Sequence, residues 1–128
     1  MRQEFTIWGT LDGLNEYTAA LKSHRMSGQK MKRDNQTVVG WAIRGAGLRP
    51  MRSPVRVSFL WVEGMRPGRK VFRPRDRDNI GFARKFILDA LVECGIIRDD
   101  SFSDVEIGGE RFMLNRNDPK IVVVIEEV

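Results

Sequence analysis

The stretch "VRVSFLWVE", residues 55–63, decides the fold. Its large apolar side chains recur at every second position, and those on one side are Val55, Val57, Phe59 and Trp61. Successive residues of a strand point to opposite faces of a sheet, so this period of two predicts a β-strand with one face in the core. We expect this strand to lie at the centre of the sheet.

Shorter patterns on either side complete the predicted sheet. "EFTIW", residues 4–8, predicts a short strand, and another strand is expected near residues 103–113. The final stretch "KIVVVIEEV", residues 120–128, is apolar at consecutive positions. Such a run predicts a strand that is buried on both faces.

Two regions have helical periodicity. The first covers about residues 14–46, and Gly28 marks a candidate interruption. The second covers residues 79–95, with Gly95 as a suitable C-terminal cap. The order β-α-β-α-β-β predicts one α+β domain over residues 1–128, with a mixed sheet and two main helices.

The composition excludes several classes of protein. Cys94 is the only cysteine, so an intrachain disulfide is excluded, and with His24 as the only histidine a Cys/His zinc site within one chain is excluded too. No run approaches the roughly 18 apolar residues of a membrane span. The first residues also lack the apolar core of a signal peptide. We therefore expect a cytoplasmic protein with no membrane partner.

Charge is distributed unevenly along the chain. Residues 1–75 contain 15 Lys/Arg and 5 Asp/Glu, whereas residues 76–128 contain 7 and 12. The basic first part favours a polyanionic partner. The alternative is ordinary solvated surface charge.

Two aspartate pairs flank the second predicted helix. Asp76 and Asp78 precede it, and Asp99 and Asp100 follow it. A helix N-terminal cap would explain Asp78 alone, and hydrogen bonds within a turn would explain the second pair. However, aspartates from separate segments are also the hard oxygen ligands that Mg²⁺ prefers, often beside a substrate phosphate. The sequence therefore predicts a magnesium site.

A lysine is predicted on the same side as the first pair. At 100° per residue along one continuous helix, Lys85 and Asp89 fall within about 20° of Asp78. A lysine there can stabilise negative charge that develops during phosphodiester cleavage. The alternative is a surface ion pair between Lys85 and Asp89. The apolar side chains fall on another arc and are predicted to face the core: Ile80, Ala83, Phe86, Ile87, Ala90, Leu91 and Cys94.

The loop before the first pair is strongly basic. Residues 65–75 have no acidic side chain, and Phe72 and two prolines interrupt a set of five cations: Arg66, Arg69, Lys70, Arg73 and Arg75. Such a loop predicts contacts to DNA phosphates. The alternatives are a solvated loop, or arginines that neutralise the adjacent aspartates internally.

A second basic stretch lies in the first helical region. It is either an exposed helix face or a further phosphate contact, and its members are Lys22, Arg25, Lys30, Lys32 and Arg33. The chain has no helix-turn-helix or zinc-finger signature. Binding through the DNA backbone and shape is therefore favoured over base-specific contacts.

At these motifs the chain resembles the RusA family of Holliday junction resolvases, which are common in prophages. The similar segments are "RDRDN", Lys85, "LDAL" and "GIIRDDS", with "GLNEY", "KMKRDNQTVVGWAI" and "DPKIVVVIEE" in support. They extend over nearly the whole chain.

The resemblance implies a small RusA-like α+β homodimer that cuts four-way DNA junctions symmetrically with Mg²⁺ or Mn²⁺, in DNA recombination and repair. It implies metal binding by Asp76, Asp78 and Asp100, with Lys85 as the essential lysine. No small-molecule cofactor is expected, and the location would be the cytoplasm of a bacterial or phage-infected cell. The residues predicted to support the site are Asn79, Asp89 and Asp99, and Arg77 joins the basic loop as a DNA contact.

The chain departs from better-known members at the lysine. Five residues rather than two separate Asn79 from Lys85, which shifts the lysine along the helix by nearly one turn. Arg84 is a less well-aimed substitute. Two rival interpretations remain: a branched-DNA-binding protein without catalysis, and a metal motif of nucleotide-sugar type at residues 76–78, which no phosphate-binding glycine loop supports.

Overall fold

The computed structural model describes residues 1–128 as a single α+β domain with a mixed four-stranded sheet. The strands are β1 (Arg2–Trp8), β2 (Val55–Glu63), β3 (Val105–Leu114) and β4 (Lys120–Glu127). The helices are α1 (Leu14–Ser23), α2 (Arg25–Ala46), α3 (Arg77–Gly81) and α4 (Arg84–Glu93). None of the helices combines the length and the apolar character that crossing a membrane requires.

The sheet has the strand order β1-β4-β2-β3. β2 pairs with β3 in parallel and with β4 in antiparallel orientation, and β1 pairs with β4 in antiparallel orientation. The prediction that residues 55–63 form a central strand is confirmed. Its alternating side chains, from Val55 to Trp61, are buried as predicted.

The core lies between one face of the sheet and the helices. Val39 and Ile43 of α2 and Phe86 and Leu91 of α4 are buried against this face. The predicted apolar arc is confirmed from Ile80 to Leu91, whereas Cys94 at its end is only partly buried against the core. Since burying a large apolar side chain contributes about 1.5–3 kcal/mol, this layer is the main source of stability.

The prediction that the last strand is buried on both faces is wrong. In β4, Ile121, Val123 and Ile125 are buried, whereas Val122 and Val124 are only partly buried. β4 is central, with β1 on one side and β2 on the other. The helices nevertheless cover only one face of the sheet, so alternate side chains of β4 remain on an open face.

The first helical region consists of two helices rather than one. The break falls at His24, not at Gly28, because the backbone of His24 is extended with φ −165° and ψ 140°. Its imidazole Nδ1 accepts a hydrogen bond from the Met26 N–H at 3.0 Å and so begins α2. Gly28 lies within α2, where a side chain would collide with Leu21 of α1.

The second helical region is also divided, so the prediction of one helix over residues 79–95 is wrong. α3 ends at Gly81 and α4 begins at Arg84, with short-range bonds from Ala83 N–H to Ile80 and from Lys85 N–H to Phe82 between them. Gly95 follows α4 with φ 74°, as expected of a glycine that terminates a helix. Asp78 therefore lies on a different helix from Lys85 and Asp89, and the continuous helix on which their predicted alignment depended is not formed.

Candidate active site and nucleic-acid interface

The first aspartate pair lies on the surface at the start of α3. Asp76 occupies the N-cap position, but its side chain forms no capping bond. Asp78 lies in the first turn and is also exposed. Neither carboxylate forms an ion pair within 4.0 Å. Both therefore have oxygens that are free to bind a cation.

The residue that immediately precedes this pair is buried. The Arg75 side chain is 6% exposed and donates to both oxygens of Glu63, from Nε at 2.8 Å and from Nη2 at 2.9 Å. Its Nη1 donates to Glu16 at 2.8 Å and to the Leu11 carbonyl at 2.9 Å. This network ties the end of the basic loop to β2 and α1, and so fixes where α3 begins.

The contacts of this network shift two pKa values. Burial alone would lower the pKa of Arg75, but its bonds to Glu63 and Glu16 outweigh that effect and raise it above its ordinary value. Burial likewise would raise the pKa of Glu16, yet the Gly13 N–H and Arg75 together lower it. Arg75 and Glu16 are therefore both held in their charged forms.

The prediction that Arg75 contacts DNA phosphate is wrong. Its guanidinium is inside the domain and its donors are directed at Glu63, Glu16 and Leu11. The arginine also does not neutralise Asp76 or Asp78, which was the alternative interpretation. Glu63 at the end of a buried strand was the sequence signal for this partner, because a carboxylate in that position requires a cation.

Asn79 has a structural role at the same place. Its side chain is buried, and its Oδ1 accepts a hydrogen bond from the Asn15 N–H at 2.9 Å. Gly13 packs directly on Asn79, where a larger residue would collide with it. Asn79 therefore supports the first pair by holding α3 against the start of α1.

The rest of the basic loop remains at the surface. Nine residues between Gly64 and Arg73 line a surface pocket of about 360 Å³. Arg69, Lys70 and Arg73 are exposed and form no ion pair, while Arg66 lies 4.0 Å from Glu16. Arg77 is exposed on α3. These five cations stay predicted DNA contacts.

The charged side chains on α4 have different contacts. Lys85 is exposed and forms no ion pair, whereas Arg84 is paired with Glu110, which also accepts a hydrogen bond from Trp61 Nε1. Asp89 accepts from Gln36 at 3.1 Å and lies 3.5 Å from Lys32. Asp89 thus joins α4 to α2, and the surface pair of Lys85 with Asp89 is not formed.

The second aspartate pair lies on a loop that a buried carboxylate holds. Asp99 and Asp100 are exposed, and Asp99 accepts a hydrogen bond from the Asp100 N–H. Asp104 is buried and lies behind them. It accepts from Ser53 and Arg98 at 2.6 Å and from Ser101 at 2.8 Å. These bonds lower the pKa of Asp104, with Ser53 as the largest cause.

The two pairs lie at opposite ends of the parallel strands. Asp76 borders a cavity of about 290 Å³ with Phe112, Met113 and Leu114, at the end of β3. Asp104 directly precedes β3, and its carbonyl accepts from Val55, the first residue of β2. The ten residues of β3 extend about 30 Å. Accordingly, no group of three or more Asp, Glu, His or Cys side chains within the chain is arranged to hold a metal ion.

In comparisons with known proteins, the chain matches no protein-family model and no curated protein.

Proposed function

We propose that the chain is a Mg²⁺- or Mn²⁺-dependent endonuclease that cuts four-way DNA junctions by paired nicks in opposed strands. One observation carries this proposal: aspartates without any cationic partner lie next to a loop in which Arg69, Lys70 and Arg73 are exposed and form no ion pair. The proposal includes action in recombination and repair, in the cytoplasm of a bacterial or phage-infected cell. It requires no small-molecule cofactor.

The charges divide the work of binding. Arg69, Lys70 and Arg73 have no carboxylate partner, so they would attract a phosphate backbone. Asp76 and Asp78 would repel the same backbone unless a cation lies between them. Their free carboxylate oxygens fit a hard divalent cation. When bound, the cation supplies charge neutralisation and activation of the phosphodiester.

The other site residues complete this arrangement. Asp100 would provide a third carboxylate, and Lys85, which has no ion-pair partner, would stabilise negative charge on the phosphate during cleavage. Asn79 would act indirectly, through the position of α3. Arg75 would also act indirectly, because its bond to Glu63 holds the backbone in place directly before Asp76.

The separation of the two pairs favours a homodimer. Asp76 lies near the end of β3 and Asp104, which holds the loop of Asp100, near its start. A two-fold related second copy would reverse the direction of β3 and could bring Asp100 of the partner subunit to the first pair. Such a dimer would have two equivalent sites, as paired cutting of opposed strands requires.

The first experiment compares a synthetic immobile four-way junction with a matched linear duplex, in Mg²⁺, in Mn²⁺ and in EDTA. We expect paired nicks only in the junction and only with metal. Asp76→Asn should reduce cutting by at least about 100-fold while junction binding in EDTA is not weakened, because the substitution removes a charge that repels the backbone. Asp118→Asn, which alters a half-exposed aspartate paired with Lys120, is the matched control.

A second candidate function is branched-DNA binding without catalysis. The favouring observation is that one chain contains no group of carboxylates arranged to hold a metal ion. In that case the junction would be bound but not cut in either metal, and Asp76→Asn would have no cutting to remove. Junction binding weaker than duplex binding, together with no cutting, would contradict both candidates.

A further inference from the structure

The outer face of α2 is basic, has an exposed aromatic side chain and is not part of the proposed metal site. The helix contains five basic side chains and one acidic side chain. At 100° per residue, Arg33, Thr37, Trp41 and Arg44 fall within an arc of about 80°. All four are exposed, on the side away from the buried Val39.

Trp41 is the unusual member of this arc. It is 65% exposed near the C-terminal end of α2, whereas Trp61 in the core is 1% exposed. Its ring stacks on no other aromatic ring and lies under no cation. A flat aromatic surface is therefore presented to solvent, where a base can stack on it.

The two arginines on either side of Trp41 are also uncommitted. Arg33 and Arg44 form no ion pair. With Thr37 they border a cavity of about 250 Å³ between α2 and α4, in which Glu93 is the one carboxylate. The arginines are about 16 Å apart along the helix axis. They can therefore contact different phosphates of one strand.

This surface continues from the basic loop. A cavity of about 410 Å³ with a lining of mixed charge joins the two, since Asp34 and Val38 of α2 meet Arg66 and Arg69 of the loop there, beside Asp12 and Glu16. Trp41 follows Val38 by three residues and so lies on the adjoining part of the helix surface. A strand that leaves the loop can pass over Trp41 towards the arginines.

We infer that the outer face of α2 is a second DNA contact, on which Arg33 and Arg44 hold phosphates and Trp41 stacks on an unpaired base. The partner is a single-stranded or unpaired segment, because the bases of an intact duplex are already stacked. This inference rests on the proposed function for its partner, branched DNA, and adds the surface that holds a strand near the branch.

The test measures DNA binding in EDTA, so that cleavage plays no part. A labelled single-stranded oligonucleotide and a matched duplex are titrated with Trp41→Ala, Trp41→Phe and Arg33→Ala/Arg44→Ala. The matched controls are Trp8→Ala, a tryptophan that is 69% exposed on β1, and Arg2→Ala/Arg111→Ala, two exposed arginines of the sheet.

Trp41→Ala should weaken single-strand binding about 5- to 150-fold and duplex binding much less, because one stacked base is lost. Trp41→Phe, which keeps an aromatic face, should recover most of that loss. The double arginine variant should flatten the logarithmic salt dependence for the single strand by about 1.4. The two controls should change neither quantity.

Equal affinities for Trp41→Ala and Trp8→Ala would overturn the inference, as would equal losses on single strand and duplex. Junction cutting by the unaltered protein separates this result from the proposed function. If the junction is cut but Trp41→Ala binds normally, only the inference fails. If no branched DNA is cut but Trp41→Ala loses single-strand affinity, the proposed nuclease function fails and the inference stands.

Discussion

Both aspartate pairs begin directly after an arginine, but that arginine is buried in one region and exposed in the other. Each pair directly follows an arginine, Arg75 or Arg98. Arg75 is 6% exposed and is bound by two carboxylates, whereas Arg98 is 74% exposed and its partner Asp104 is buried. In the first region the arginine is inside the domain together with its carboxylate partner. In the second region the arginine is exposed and only its carboxylate partner is buried.

This difference shows which residue each region depends on. Without Arg75, Glu63 would be left buried with no cation. Without Arg98, Asp104 would still accept hydrogen bonds from Ser53 and Ser101. The first pair therefore depends on an arginine and the second on a carboxylate, although the exposed aspartates look alike in sequence.

The largest expected effect is on junction cutting, and it tests whether the two aspartate pairs form one site between two subunits. Asp76→Asn and Asp100→Asn should each reduce junction cutting by at least about 100-fold. When the two variant chains are mixed and allowed to exchange, about a quarter of the cutting should return, because half of the dimers contain one site with both aspartates intact. The measurement is the nicking rate against mixing ratio.

If each site were built within one chain, mixing would restore nothing, and the proposed division of the site between subunits would be wrong. Asp118→Asn mixed with Asp76→Asn provides the reference, since Asp118 lies outside both pairs.

The next effect concerns the stability of the first region. Arg75→Ala should lower the free energy of unfolding by about 3–5 kcal/mol, because it leaves a buried carboxylate uncompensated. Arg73→Ala, an exposed arginine two residues earlier, should change it by less than about 0.5 kcal/mol. Urea unfolding of both variants gives the comparison. If Arg75→Ala lowered the free energy of unfolding as little as Arg73→Ala is expected to, the buried network would not be important for stability.

A smaller effect is expected for the lysine on α4. Lys85→Ala should reduce junction cutting about 10- to 100-fold without altering binding in EDTA, because the lysine is proposed to act on charge that develops during cleavage. Arg84→Ala, which removes the adjacent cation paired with Glu110, should leave the rate per folded molecule nearly unchanged. The reverse result would assign the catalytic cation to Arg84.

The smallest effect is on the acid stability of the second region. Because folding lowers the pKa of Asp104, the unfolded chain takes up its proton first as the pH falls. The stabilisation is complete above the ordinary aspartate pKa of about 4 and is lost below it. Asp104→Asn should be less stable at pH 7 and should lose less further stability between about pH 5 and pH 3.

Thermal unfolding at several pH values measures how steeply the stability of each variant falls with pH, which is the slope compared among the variants. Asp118→Asn should retain the slope of the unaltered protein, and an unchanged slope in Asp104→Asn would exclude Asp104 as its source. Glu16 and Glu127, whose pKa values are also lowered, should leave a residual slope in every variant.

Much of the fold was predictable because strand and helix periods are local. The alternation in residues 55–63 identified the central strand, and the bounds of β3 and β4 differ from the predicted ranges by two residues or fewer. The helix breaks were not predictable. His24 ends α1 by adopting an extended backbone, and the second helical region divides directly after Gly81, where hydrogen bonds run to carbonyls three residues back.

The candidate site was predictable in part. The exposure of Asp76, Asp78, Asp99 and Asp100 agrees with residues available to a cation. Their separation along β3 could not be obtained from the sequence, since it depends on the parallel pairing of β2 with β3. The burial of Arg75 could not be predicted either, because its partners Glu63 and Glu16 are distant in the chain.

The sequence by itself determined the strands, the helical regions and the chemical character of the exposed segments, since these follow from the order of apolar and charged side chains. Only the tertiary structure decided which charges are exposed and which are buried. A charged side chain is tolerated in the interior only beside an opposite charge or several hydrogen bonds. Glu63 and Glu16 provide that partner for Arg75, whereas Arg69 and Arg73 have none and remain in solvent.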